Sequence, residues 1–245
     1  MNKLPAITAG FWIMKIAATT LGETAGDLLS MTLNVGYGLS SLILISIFLV
    51  TLIIQLCSTK YHPFLYWTVI LSTSTAGTTM SDYMDRTLGL GYANGSAILV
   101  TLLVSTLLLW RYREGSISVQ HVTTRRVEIL YWIAILFSNT LGTALGDYLA
   151  DDSGLGFIGG ALLISSILGG ILAAYYYTNL SRIALFWAAF VLTRPFGATF
   201  GDLLTKPVEK GGLDLGTAGS SLVLFAILLA MIVYSSVKTA KRSAS

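Results

Sequence analysis

The chain has 245 residues, of which 54% are hydrophobic and only 11% are charged, and its mean hydropathy is +0.75. Soluble domains carry roughly a quarter charged residues, so this composition indicates a polytopic membrane protein. The net charge of +3 is small and spread along the chain, which argues against a nucleic-acid partner. The single cysteine, Cys57, excludes an internal disulfide, and His62 and His121 form no metal-ligand spacing.

Eight apolar segments follow one another along the chain, most of them of about the length that spans a bilayer. They cover residues 6–30, 38–57, 64–84, 93–110, 127–149, 157–177, 183–204 and 217–237. We therefore expect an all-α polytopic membrane protein with eight transmembrane helices in a single transmembrane domain, residues 1–245. The first segment is expected to remain in the protein, because it contains Glu23 and Asp27 and no small-residue cleavage site follows a short apolar core.

Four tandem repeats organise these segments, and each is marked by a tryptophan with an aspartate 15 residues later. The pairs are Trp12 and Asp27, Trp67 and Asp82, Trp132 and Asp147, and Trp187 and Asp202. A glycine lies ten residues after each tryptophan, at Gly22, Gly77, Gly142 and Gly197. The repeats cover approximately residues 11–58, 65–115, 130–179 and 185–236. Each is predicted to form one helical hairpin.

A glycine-rich turn and a second, plainer helix complete each hairpin. At the entry to that helix every repeat has a small-xxx-small step, which lets helices in lipid approach closely. The steps are Gly36/Ser40, Gly91/Gly95, Gly156/Gly160 and Gly216/Ser220. Because each repeat contains two spans, all four enter the membrane in the same direction, and their symmetry axis is expected along the membrane normal. A pseudo-fourfold ring and a pairing of two halves both stay open.

The basic residues predict the orientation in the membrane. Ten of them lie outside the hairpins, before the first helix or after the second, at Lys3, Lys60, Arg111, Arg113, Arg125, Arg126, Arg182, Lys238, Lys241 and Arg242. The turns inside the hairpins hold only Arg86, Lys206 and Lys210. By the positive-inside rule, both termini are expected in the cytoplasm.

A polar stripe runs along the first helix of each repeat, because positions 7, 11 and 15 after the tryptophan share one helix face. It reads Thr19, Glu23, Asp27; Ser74, Thr78, Asp82; Asn139, Thr143, Asp147; and Arg194, Ala198, Asp202. Lipid does not tolerate such groups, so the four stripes are expected to converge on a shared interior. Glu23 and Arg194 are charges that the other repeats lack, and we expect them to pair.

Three structural alternatives apply to these features. The aspartates could cap the backbone of the hairpin turns. The tryptophans could form an interfacial belt. Lys15 is expected to extend its side chain to the cytoplasmic interface, which would make it structural.

The four Trp…Gly-Asp hairpins resemble a family of bacterial membrane proteins built from tandem two-helix repeats of unknown function. The resemblance covers the chain from Phe11 to Ser236, and its tryptophans match Trp12, Trp67, Trp132 and Trp187. In the second repeat the Gly-Asp becomes Ser81-Asp82, which keeps the acid. The resemblance implies a multi-pass protein of the bacterial inner membrane and supplies no activity.

The residues favour a transporter or channel for a small cation, either a divalent metal ion or one moved with proton coupling. The predicted ion path or binding site comprises Glu23, Asp27, Asp82, Asn139, Asp147 and Asp202, and the five acids among these are the candidate metal ligands. Arg194 and Glu23 are candidates for gating. The expected partners are the lipid bilayer and the cation, with a homo-oligomer left open, and no cofactor is expected.

Two other functions stay open. The polar stripe could be a packing network in a structural, accessory or sensory membrane protein. An intramembrane aspartyl enzyme is less favoured, because the Gly-x-Gly-Asp motif of such proteases fits none of the four aspartates. We expect no enzymatic activity.

Overall fold

The computed structural model describes residues 3–243, and over these residues it is all helical, without a strand. The predicted domain's residues 1–2 and 244–245 lie outside this part, as do the side chains of His121 and of residues 238–243. The long helices are α1 (Ala9–Asp27), α2 (Tyr37–Cys57), α3 (Pro63–Asp82), α4 (Tyr92–Glu114), α5 (Arg125–Asp147), α6 (Gly156–Tyr177), α7 (Arg182–Thr205) and α8 (Thr217–Ser243).

The first helices of the four repeats form a closed inner ring. Within it α1 packs against α3, α3 against α5, α5 against α7, and α7 against α1. The second helices surround this ring: α2 packs on α3, α4 on α5, α6 on α7, and α8 returns to α1. Each hairpin therefore covers the inner helix of the next repeat, and the last covers the first. Of the two arrangements that the sequence leaves open, the structure has the pseudo-fourfold ring.

Six of the helices are long and apolar enough to cross a membrane: α2, α4, α5 with the turn that follows it, α6, α7 and α8. The outer helices bury little of their spans inside the protein, 22% in α2, α6 and α8 and 28% in α4, whereas α5 buries 67%. The helices α1 and α3 are less apolar, because α1 carries Lys15, Glu23 and Asp27 and α3 is rich in serine and threonine. Their polar residues are buried in the bundle. The eight predicted spans are thus supported for six helices.

Close backbone approach holds the inner ring together at the glycine ten residues after each tryptophan. A methyl group on Gly22 would lie 2.4 Å from Cβ of Ser74 and 3.0 Å from its backbone carbon. Equivalent contacts join Gly77 to Asn139, Gly142 to Arg194 and Gly197 to Thr19. In each case the partner is the residue at position 7 of the next repeat. These glycines are therefore required by the packing of neighbouring inner helices.

The hairpin turns start with a widened helical turn. In the first three repeats the inner helix continues past its aspartate into a π-helical turn, at Leu28–Thr32, Tyr83–Thr87 and Tyr148–Asp152. The fourth repeat has an additional stretch here, KPVEKGG at residues 206–212, and α7 is followed by a 3₁₀ turn, Val208–Lys210. The longer turn of the fourth repeat thus replaces the π-helical turn of the others.

The two small residues of each predicted small-xxx-small step have different surroundings in the structure. Their first glycines, Gly36, Gly91, Gly156 and Gly216, have φ between 65° and 81°, with open space around each. This backbone conformation favours glycine, so the expected close helix approach is wrong for these residues. The second members are buried, at Ser40, Gly95, Gly160 and Ser220.

Aromatic residues close one end of the inner ring, which we call the Trp end; the opposite end, with the hairpin turns, is the Asp end. The aromatic residue before each tryptophan packs on that tryptophan, with ring centroids 5.1 to 5.5 Å apart, and on the tryptophan of the next repeat, 5.6 to 6.5 Å away. This aromatic ring consists of Phe11, Trp12, Tyr66, Trp67, Tyr131, Trp132, Phe186 and Trp187.

Three of the four repeat tryptophans are buried in the aromatic ring. Trp67 and Trp132 have no exposed surface, and Trp187 is 5% exposed. The interfacial-belt alternative is therefore wrong for these three, which pack inside the protein. The hydroxyls of Tyr66 and Tyr131 hydrogen bond at 2.7 Å within the same layer.

Candidate functional site

The polar stripes of all four repeats are buried inside the inner ring. Every stripe residue is at most 3% exposed, including the charged ones. Helix periodicity aligns positions 7, 11 and 15 on one face, and the ring turns that face away from the lipid. The expected convergence of the stripes on a shared interior is thus present. The buried charges of the stripe are Glu23, Asp27, Asp82, Asp147, Arg194 and Asp202.

Arg194 lies at the centre of this interior. Its side chain is fully buried, and Nη1 contacts Oε2 of Glu23 at 2.9 Å. Nη2 donates to the hydroxyls of Thr78 at 2.6 Å and Thr143 at 2.7 Å, and to the carbonyl of Ser74 at 3.3 Å. The guanidinium of the fourth repeat therefore contacts the first, second and third. Glu23 is the partner expected for Arg194 from the sequence.

The same threonines also donate to the carboxylate. Oε2 of Glu23 accepts from Thr143 at 3.1 Å and from Thr78 at 3.3 Å. Position 11 thus supplies an acid in the first repeat and hydroxyls in the second and third. In the fourth repeat this position is Ala198, which has no polar group. A buried ion pair is stable only when further hydrogen bonds satisfy both ions, and the two threonines do this for Glu23 and Arg194.

The four repeat aspartates are held in two ion-paired groups at the Asp end. Arg86 contacts Asp82 at 3.1 Å and Asp147 at 2.9 Å. Lys206 contacts Asp202 at 3.1 Å and Asp27 at 2.6 Å. We call these the Arg86 triad and the Lys206 triad. Each joins the aspartates of two neighbouring repeats, so the pseudo-fourfold packing carries a twofold charge pattern.

Arg86 and Lys206 are site residues that sequence reasoning missed, because it assigned them to the hairpin turns. The signal was present: each follows its repeat's aspartate by four residues, the spacing of a helical ion pair. The same position holds Met31 and Asp151 in the first and third repeats. A basic residue in alternate repeats indicates a pairing between repeats.

One structural alternative was that the repeat aspartates cap the backbone of the hairpin turns, and the structure does not show this. Asp27, Asp82 and Asp147 each precede a π-helical turn without a side-chain capping hydrogen bond, and Asp202 lies inside α7. Their carboxylates instead contact the side chains of Arg86 and Lys206. The capping alternative is therefore wrong.

Three of the five predicted metal ligands come together. Glu23, Asp147 and Asp202 each offer one carboxylate oxygen, and these oxygens lie within 4.8 Å of one another. They come from the first, third and fourth repeats. Carboxylate oxygens at this separation suit a hard cation, and their charges are close enough to couple their protonation. Asp27 and Asp82 are outside this group; their carboxylates contact Lys206 and Arg86, respectively.

Asn139 lies nearer the Trp end, in contact with the buried cation Lys15. Its Oδ1 is 3.4 Å from Nζ of Lys15, and its amide donates to Thr73 at 2.8 Å. Nζ of Lys15 also lies 4.1 Å above the ring of Phe190. The predicted extension of Lys15 to the interface is wrong, because the side chain is fully buried and turned into the ring. Asn139 binds this lysine and is not part of the carboxylate group.

Comparison with known proteins agrees with the repeat structure. One family, described as Repeat of Unknown Function (DUF347), matches the chain four times, over residues 10–61, 65–116, 130–181 and 185–240. These ranges follow the four hairpins predicted from the tryptophans. A search of curated proteins finds no match, and a search of solved structures finds none either. The four matches cover nearly the whole chain, and the protein therefore belongs to the DUF347 repeat family.

Proposed function

We propose that this protein is a membrane transporter for a small cation, with the path along the axis of the inner ring. The observation that carries the proposal is the group of three buried carboxylates, Glu23, Asp147 and Asp202, within 4.8 Å of one another. Burying acids in a membrane protein is costly, so intramembrane carboxylates commonly mark ion paths and proton relays. Their origin in three different repeats favours a path between the repeats.

The proposal includes eight transmembrane helices. The inner helices α1 and α3 have 19 and 20 residues, a length of roughly 30 Å at 1.5 Å per residue. Their polar side chains face the ring interior, where lipid does not reach them. We place the Trp end and both termini in the cytoplasm of a bacterial inner membrane, on the basis of the basic residues outside the hairpins.

A carrier fits the interior better than an open channel does. The aromatic ring closes the Trp end, and Arg194 occupies the axis between it and the aspartates. A cation would have to displace Arg194 from Glu23, and this displacement requires a change of conformation. The carboxylates of Glu23, Asp147 and Asp202 are also close enough for the charge of one to influence the protonation of the others, which supports proton coupling.

Flux through liposomes that contain the purified protein tests the proposal. We expect the wild type to move protons or a metal cation down an imposed gradient, with Na⁺, K⁺, Mg²⁺ and Mn²⁺ each tried in turn. The double variant Asp147→Asn/Asp202→Asn is expected to lose this flux. Asp152→Asn, on the exposed side of a hairpin turn, is the matched control and should keep it. Unchanged flux in the double variant would overturn the proposed path.

A packing network is the second candidate, and the two triads favour it. Each repeat aspartate contacts Arg86 or Lys206, so all four could serve to hold neighbouring inner helices together. In that case Asp147→Asn/Asp202→Asn should lower the thermal stability while liposomes with the wild type show no ion flux above empty liposomes. Those two results together would favour a structural, accessory or sensory role.

A further inference from the structure

We propose that Arg194 is a built-in cation that occupies a monovalent-cation site, and that the transported ion takes its place on Glu23. This inference rests on the proposed function, since it names the class of ion that the axial path binds. It is carried by the oxygen atoms around the guanidinium, by the ion pairs of the neighbouring aspartates and by a proline next to Arg194.

The guanidinium is bound by the kind of atoms that bind a metal cation. Its contacts are one carboxylate, two hydroxyls and one carbonyl, from Glu23, Thr78, Thr143 and Ser74, at 2.6 to 3.3 Å. These groups come from three different inner helices and converge on one point. Oxygen ligands of mixed charge suit hard cations. With the guanidinium withdrawn, the same oxygens would line a cation site.

The charge of this site favours a monovalent ion. Glu23 is the only carboxylate in contact with the guanidinium among the described residues, so one positive charge balances it. Asp147 and Asp202 are near, but Arg86 and Lys206 already bind them. A divalent ion would need a second carboxylate, for which it would compete with Arg86 or Lys206. A monovalent ion would need only the atoms that Arg194 now uses.

The local structure of α7 allows Arg194 to move. Pro195 follows it inside the helix and has no N–H to donate to the carbonyl of Val191, which leaves a point where α7 can bend. The equivalent residue in the other repeats is a threonine, at Thr20, Thr75 and Thr140. The proline is thus confined to the repeat that carries the arginine.

Two further contacts concern the side chain of Arg194 itself. Its stem passes over Gly142, where a methyl group would lie 2.5 Å from Cβ of Arg194. Its buried Nε has no hydrogen-bond partner among residues 3–243, the part of the chain that the structure describes. The guanidinium is therefore held only through Nη1 and Nη2, which are the atoms that contact Glu23, the two threonines and the Ser74 carbonyl.

Replacing one cation with another avoids a large energetic cost. A buried carboxylate without a counter-ion is strongly unfavourable, and the same holds for a buried guanidinium. If the ion binds Glu23 as Arg194 leaves, the carboxylate stays neutralised throughout. Arg194 would then reach the acids of a triad, of which Asp202 lies two helical turns further along α7.

Removal of the arginine should expose the site to free ions. We would purify Arg194→Ala in detergent and measure its melting temperature with millimolar NaCl, KCl or guanidinium chloride, using choline chloride as the ionic-strength control. At saturation, one of the three ions is expected to raise the melting temperature by about 3 °C or more over choline. The wild type, with its site filled, is expected to show no such difference.

A second variant assigns the effect to Glu23. In Glu23→Gln/Arg194→Ala the carboxylate is gone, and the ion-dependent stabilisation should disappear. Arg194→Gln provides the same test if the alanine variant does not fold, because it keeps a polar side chain of similar length. The inference would be overturned if the ion raised the melting temperature of Arg194→Ala and Glu23→Gln/Arg194→Ala equally. It would also be overturned if no ion raised the melting temperature of Arg194→Ala or Arg194→Gln above its value in choline. Stabilisation by Mg²⁺ or Mn²⁺ alone would overturn the monovalent class.

The outcomes separate this inference from the proposed function. Ion-dependent stabilisation of Arg194→Ala without flux in wild-type liposomes would uphold the site and reject transport. Flux that depends on Asp147 and Asp202, with no ion effect on the Arg194 variants, would uphold transport and reject the built-in cation.

Discussion

At the scale of single residues, the ion pair between Arg194 and Glu23 is the most informative feature. Both charges break the repeat, and a charge in a membrane interior costs at least about 3 kcal/mol when it is alone. That cost is the reason why the sequence could predict their pairing. The hydrogen bonds of this ion pair with Thr78 and Thr143 could not be predicted, because only the closed ring brings position 11 of three repeats to one point.

Loss of one member of this pair should destabilise the protein more than loss of both. Glu23→Gln leaves the guanidinium of Arg194 buried without a counter-ion, and we expect a cost of about 3–5 kcal/mol. The double variant Glu23→Met/Arg194→Met removes both charges and is expected to lose less than Glu23→Gln. Thermal or denaturant unfolding in detergent measures the difference.

The control for this pair is Glu209→Gln, which removes an exposed acid from a hairpin turn and should leave stability within about 0.5 kcal/mol of the wild type. A loss in Glu23→Met/Arg194→Met as large as that of Glu23→Gln, or larger, would contradict a mutual interaction between Glu23 and Arg194.

Lys206 should stabilise the protein because its ammonium group contacts the carboxylates of both Asp27 and Asp202. Lys206→Met leaves Asp27 and Asp202 side by side without a cation, and we expect a loss of stability of about 2–4 kcal/mol. Lys210→Met, four residues later on the exposed surface, is the matched control. Addition of Asp202→Asn to Lys206→Met should recover part of the loss, and a failure to recover any would show that Lys206 acts otherwise.

At the scale of helices, the sequence was sufficient for the hairpins and their lengths. The tryptophan spacing and the apolar runs predicted eight helices, and the family matches confirm the four repeats. The π-helical turns after the aspartates were not predictable, since their residues also suit an α-helix. The role of Gly22 and its equivalents also required the structure, because the sequence does not state which neighbour a glycine faces.

Alanine at a glycine of the inner ring should separate two helices. In Gly22→Ala the new methyl group meets both the side chain and the backbone of Ser74, so α1 and α3 must move apart, and we expect a loss of about 2–3 kcal/mol. Gly170→Ala in α6 is the control, because no atom lies within 4 Å of its methyl group. Alanine favours helix there, so the control should be neutral or slightly more stable in thermal unfolding. Equal effects at the two sites would contradict the close approach.

At the scale of the whole molecule, the closed ring brings the first and last repeats into contact. Thr32 follows α1 and Thr217 begins α8, and their hydroxyls are 2.8 Å apart. The sequence left open whether four units close on themselves, because repeated hairpins are equally consistent with two separate pairs. Closure depends on the surface that the fourth hairpin presents to the first, which no single repeat reveals.

A disulfide between the first and last repeats tests this closure. In a Cys57→Ser background, Thr32→Cys/Thr217→Cys is expected to form a cross-link on mild oxidation, since the hydroxyl oxygens that the two sulfurs would replace are 2.8 Å apart and an S–S bond is about 2.0 Å long. Loss of maleimide labelling, restored by reductant, is the measurement. Thr32→Cys/Ser153→Cys, which pairs the first repeat with the third, is the control and should stay labelled. A cross-link in the control or none in the test pair would contradict the ring.

The asymmetric centre has a consequence for how such a ring can be encoded. Four identical hairpins assembled as a homotetramer would place either four arginines or none on the axis, and either four glutamates or none. One guanidinium bound by Glu23, Thr78 and Thr143 is impossible under that symmetry. The four copies must therefore differ in sequence for one charge pair to lie on the axis. In this protein one chain carries all four copies, so each repeat can change independently while its place in the ring stays fixed.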